Sequence, residues 1–160
     1  MAEKYEEQLA RAKRYLERFS KINDGIPHTQ ESLNYDDDIY AFFQNCYHLK
    51  DWIKNDPSCG KWTCVEGFIN LNEELKLCAD ICNGLKHLKL SNPRSTENPE
   101  FSSRRISLNL GGTPVIAIKY ELTTNSGNID AFELAKKCIP IWESYIVNNT
   151  LLTHPSSGTR

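Results

Sequence analysis

Between Arg104 and Leu122 the chain changes its hydrophobic period, and that change limits the folds open to it. Ile106, Leu108 and Leu110 alternate with polar residues, Gly111-Gly112 offers a tight reversal, and Val115, Ala117, Ile118, Tyr120 and Leu122 bring the apolar pattern back, which predicts a β-hairpin. An isolated hairpin is marginal in water, so one of its faces must pack on a helix. Elsewhere the spacing is helical. Tyr5, Leu9, Ala12, Leu16 and Phe19 mark an amphipathic helix over residues 2–21; Ile39, Phe42, Phe43, Cys46, Leu49 and Ile53 mark the most apolar one, over 35–54. A third spans 71–90 with Leu71, Leu75, Cys78, Cys82 and Leu85 on its buried stripe. The last follows Asn128 and turns Phe132, Ala135, Cys138, Ile139, Trp142 and Tyr145 inward, with Pro140 inside it. Four helical segments and one hairpin predict a mainly α fold: a four-helix bundle with one β-hairpin inserted before the last helix.

Punctuation between the segments agrees. Asn34 offers an N-cap and Asp36, Asp37 and Asp38 place negative charge where the helix dipole favours it. Asn55-Asp56-Pro57 ends that helix. The stretch from Ser91 to Glu100 has two prolines and is almost wholly polar, so it is expected to be mobile. With 160 residues the chain is the size of one ordinary domain, taken as residues 1–152 followed by a flexible tail over 153–160.

The net charge of −2 argues against a bulk polyanion binder, so any nucleic-acid contact must come from a local basic patch. No run of eighteen apolar residues occurs and the amino terminus is charged and amphipathic, which predicts a cytoplasmic protein that does not engage a membrane. Four of the six cysteines, Cys46, Cys78, Cys82 and Cys138, fall on apolar stripes, where a free thiol behaves as a small hydrophobe. Cys59 and Cys64 lie in a loop, but no second close pair of cysteines or histidines accompanies them. No metal or cofactor is expected.

Two helical segments also carry polar edges. Lys76, Asp80, Asn83 and His87 recur at i, i+4, i+7 and i+11, with Lys86 beside them; Gln44, His48, Asp51 and Asn55 repeat the spacing on the preceding long helix. If the edges face each other, two acids, three amides and two imidazoles meet. The plainer alternative is a solvated polar face and a half-buried histidine tied to a neighbouring backbone group.

The phrases YHLKDWIKND (47–56) and DICNGLKHLKL (80–90) resemble those of small bacterial and phage proteins related to the HEPN superfamily, and the order of elements is similar. The resemblance implies an HEPN-like helical bundle, often dimeric, and for many members a metal-independent ribonuclease of toxin–antitoxin or antiphage type. It places Asn83 at the polar position of the family motif and His87 at its histidine; the motif's arginine position is held by Cys82. In such chemistry the ribose 2′-hydroxyl attacks the adjacent phosphate, which calls for proton transfer and for a cation at the developing oxyanion. The candidate catalytic residues are therefore His87, Asn83, His48, Asp51 and Asp80. Lys86, Lys89, Arg94, Arg104 and Arg105 form the candidate RNA contacts. The alternative is a catalytically silent HEPN-like module that dimerises or binds a cognate protein partner. A nucleotide-binding role lacks a Gly-rich phosphate loop.

Overall fold

The computed structural model describes residues 4–28, 34–87 and 92–153. In chain order these form helix α1 (Tyr5–Asp24), strand β1 (Ile26–Pro27), helix α2 (Tyr35–Asn55), a 3-10 turn (Pro57–Cys59), helices α3 (Val65–Asn70) and α4 (Glu73–His87), strands β2 (Glu100–Asn109), β3 (Val115–Thr124) and β4 (Gly127–Asp130), and helix α5 (Ala131–Thr153). The expected mainly α four-helix bundle is thus corrected. Among the described residues there are five α-helices and a four-stranded antiparallel sheet, a mixed α/β fold. What the periodicity lacks are the short pieces: β1 has two residues, one a proline, β4 has four with a single apolar side chain, and α3 is shorter than two helical turns.

Strand β3 organises the sheet. Strand β2 lies along one of its edges, with Ile106 opposite Ile118 and Leu108 opposite Ile116, while β1 and β4 share the other edge near its two ends. On the inner face of β3, Ile118, Tyr120 and Leu122 are buried. Strand β2 receives less helical cover than expected: Phe101 at its start packs on Tyr40 and Phe43 of α2, but Ile106 and Leu108, in register with β3, stay 52 % and 54 % exposed.

The core is built where helices and sheet meet at Phe19. Its ring lies 5.2 Å from that of Phe132 on α5, 6.2 Å from Tyr120 on β3, and 6.3 and 6.4 Å from Phe42 and Phe43 on α2. Tilted and edge-on arrangements at these separations let the ring quadrupoles attract as well as bury apolar area. Helix α2 buries the stripe read from its sequence, Ile39 through Ile53. Helix α5 starts two residues later than Asn128 would place it: Asp130 accepts the amide hydrogens of Phe132 and Glu133 at 2.8 and 3.0 Å. Pro140 sits inside α5 without ending it. Helix α4 begins at Glu73; Leu71, expected on its apolar stripe, stands 85 % exposed in the junction after α3. The far end of the expected helix, 88–90, and most of the expected tail, 154–160, lie outside the described residues. No helix among the described residues is long and apolar enough to cross a membrane.

Candidate functional site: a basic furrow between α2 and α4

Helices α2 and α4 meet through sulfur. The Cys78 thiol donates to the Phe43 carbonyl at 3.5 Å inside the core, and one helical turn further along α4 the Cys82 sulfur lies 3.8 Å from His48 Nε2. Cys82 is buried while His48 is exposed, so this contact joins the core to the surface. Burial raises the Cys82 thiol to about 11, although Lys86 and Lys50 pull it down, so it remains a neutral S–H beside the imidazole. The His48–Cys82 contact brings the His48 edge of α2 next to α4. Asn83 is half-buried, and Lys86 and His87 are exposed at the end of α4. Helical rise carries His87 about 7.5 Å beyond Cys82 along the axis.

Asp51, a candidate catalytic acid, makes no hydrogen bond to His48. Its carboxylate turns toward Lys50 Nζ at 3.8 Å. Asp80 departs further from expectation. It is 1 % exposed, and its two oxygens accept the Arg94 amide hydrogen at 2.6 Å, the Ser95 amide hydrogen at 2.8 Å and the Ser95 hydroxyl at 2.6 Å. A buried carboxylate with three donors is fully occupied. It anchors the stretch 92–99, expected to be mobile, against α4.

That anchor fixes Arg94. The guanidinium donates to Glu66 Oε2 at 2.6 Å and to Asn70 Oδ1 at 3.0 Å and lies over the Tyr47 ring, 5.7 Å from its centre. Lys50 and Lys54 donate to the other oxygen, Oε1, at 3.0 and 2.8 Å, and the Lys50 ammonium lies 4.7 Å from the same ring. Burial alone would raise the Glu66 carboxyl, but hydrogen bonds from Lys54, Lys50 and Arg94 outweigh it and bring it down to about 2. Lys50, Lys54 and Arg94 therefore converge on Glu66, and with Asp51 beside Lys50 the group keeps one positive charge in excess. Sequence reasoning missed Lys50, Lys54, Glu66 and Tyr47. The i, i+4 spacing of the lysines was visible, but their acceptor comes from a helix too short to show a period.

The basic residues proposed from sequence do not gather at one place. Lys86 is exposed near the end of α4, and Arg94 is held by Glu66 and Asn70. Arg104 instead donates to both oxygens of Asp36 at 2.9 and 2.8 Å, and Tyr120 donates to Asp36 at 2.6 Å. Asp36 precedes His48 by twelve residues on α2, about 18 Å of helix. Arg104, Arg105 and Lys119 line a separate depression of about 360 Å³ on the sheet. Lys89 lies outside the described residues. No group of three metal-ligating side chains gathers at the furrow among the described residues. Comparison with protein-family models, with curated proteins and with solved structures finds no match to this chain.

Proposed function

We propose that the chain targets RNA at the α2–α4 furrow and acts there as a metal-independent endoribonuclease of the toxin–antitoxin or antiphage kind that its sequence phrases imply. The observation that carries this reading is the 3.8 Å approach of His48 Nε2 to Cys82 Sγ, which brings an exposed imidazole on α2 beside the Asn83, Lys86 and His87 edge of α4. An imidazole is the side chain whose ordinary titration lies nearest neutral pH, so two of them along one furrow suit the removal of a 2′-hydroxyl proton and the protonation of the 5′-leaving oxygen. Lys86, exposed and next to His87 in sequence, serves the phosphate oxygens. Lys50 and Arg94, packed against the buried Tyr47 ring, offer a basic border for the phosphates of a single strand.

Incubation of the purified protein with single-stranded RNA in the presence of a chelator tests the reading. Fragments ending in a 2′,3′-cyclic phosphate are expected, as is binding that weakens with salt. Absence of both cleavage and low-salt binding would refute it.

One observation favours a second reading. Glu66 and Asn70 hold the Arg94 guanidinium, so the furrow has no uncommitted arginine among the described residues to replace the one the family motif would supply. A catalytically silent module that pairs with itself or with a cognate protein accounts for that. It predicts a dimer or a stable complex in sedimentation, with intact RNA.

A further inference from the structure

Three helices each bring one cysteine to a single point in the core. Cys46 on α2, Cys78 on α4 and Cys138 on α5 have sulfur atoms within 4.8 Å of one another, and none is more than 1 % exposed. Three sulfurs arranged around one ion at about 2.3 Å stand about 4 Å apart, so the cluster has nearly the dimensions of a trigonal thiolate site. A second buried group points the same way. The indole N–H of Trp142 is buried without a hydrogen-bond acceptor, yet it lies against Cys46. A metal-bound thiolate is the acceptor this N–H lacks.

We propose that Cys46, Cys78 and Cys138 bind one soft, three-coordinate d10 cation, of which Cu(I) is the chemical type. Zn(II) prefers a fourth ligand; the described residues bring no other cysteine, histidine or carboxylate to the cluster, and the site is closed to solvent. Binding replaces S–H by S–metal bonds, each ligating thiolate releasing one proton to solvent, with no change in oxidation state. An approach exists beside it. A groove of about 360 Å³ between α4 and the start of α5 is bordered by Glu73, Glu74, Asp130 and Glu133, against which Lys137 is the one cation of its lining. Its lining residues Glu74 and Leu134 also supply the carbonyls that accept from the Cys138 thiol, at 3.7 and 3.4 Å. Two residues beyond Cys138, Pro140 has no N–H to offer the carbonyl four residues back, which loosens the helical ladder beside the site.

Anaerobic titration of the reduced, full-length protein with Cu(I), in competition with a chromophoric Cu(I) chelator, tests the site, with X-ray absorption reading the ligand atoms. One equivalent bound by three sulfurs is expected. Cys138→Ser should weaken binding by about 100-fold or more, since even loss of an outer-shell partner costs 10–100-fold, whereas Cys64→Ser should change nothing. Circular dichroism checks that each variant is folded, and if Cys138→Ser is not, the sulfur count on the unaltered protein decides. Fewer than three sulfurs, loss of binding in Cys64→Ser, no stoichiometric complex, or Zn(II) bound as tightly with nitrogen or oxygen neighbours would each overturn the proposal.

Discussion

Asp80 accepts the backbone N–H of Arg94 at 2.6 Å, a contact across fourteen residues that ties the core of α4 to the stretch leading into the sheet. With Ser95 added, one buried carboxylate satisfies two amides and a hydroxyl. Asp80→Ala would strand all three donors, so a loss of about 2–5 kcal/mol is expected in chemical denaturation. Asp80→Asn keeps one acceptor oxygen and should fall between that and the unaltered protein. An Asp80→Ala variant within about 0.5 kcal/mol of the parent would remove the anchoring role.

Glu66 makes stability depend on acid. Its carboxyl titrates near 2 in the folded protein, against about 4.3 for an unperturbed glutamate, so the unfolded chain takes up the proton first. The stabilisation is fully present above about pH 4.3 and is lost as pH falls toward 2. Because the Glu66 side chain keeps 28 % of its exposure, solvent screening limits the effect to about 1–2 kcal/mol. Melting temperatures of the parent and of Glu66→Gln should therefore diverge above pH 5 and converge near pH 2; parallel curves would contradict the assignment.

Much of the fold is legible because the long elements carry long patterns. The α2 stripe and the hairpin reversal at Gly111-Gly112 rest on repeated local choices that tertiary contacts do not override. The mixed α/β character was hidden because β1 and β4 exist only as additions to β3, whose edge their few residues occupy. The site was readable as two polar edges and misread within them. Asp80 shares its spacing with Asn83 and His87 but points into the core, since its donors come from Arg94 and Ser95, and no helical period encodes that partnership. Arg104 and Arg94, ten residues apart, looked like one basic cluster; the turn into β2 sends Arg104 to Asp36 and leaves Arg94 on Glu66.

Thiol labelling should separate the cysteines by burial. Cys46, Cys59, Cys78, Cys82 and Cys138 are buried and Cys64 is exposed, so one thiol should react quickly in the native protein and five only on unfolding. Cys64→Ser should abolish the fast phase. A fast phase of two or more thiols would mean that the α2–α4–α5 core opens readily in solution.

The two candidate imidazoles sit in different environments. His48 touches the Cys82 sulfur, whereas His87 is exposed at the end of α4. Neither fills core volume, so His48→Ala and His87→Ala should each change stability by no more than about 0.5–1 kcal/mol, the larger value belonging to His48, which loses a weak sulfur contact. If both move protons in RNA cleavage, each substitution should lower the rate by about 10²- to 10⁴-fold, and the double variant should lose little more, because paired acid and base act as a unit. If the protein binds RNA as proposed, salt-dependent binding should persist in both variants, since the proposal assigns it to Lys50, Lys54, Lys86 and Arg94. Rates measured alongside melting curves distinguish the readings: cleavage that survives both substitutions would place any ribonuclease activity elsewhere, and a melting loss of about 1–3 kcal/mol in His87→Ala would make it a structural tie.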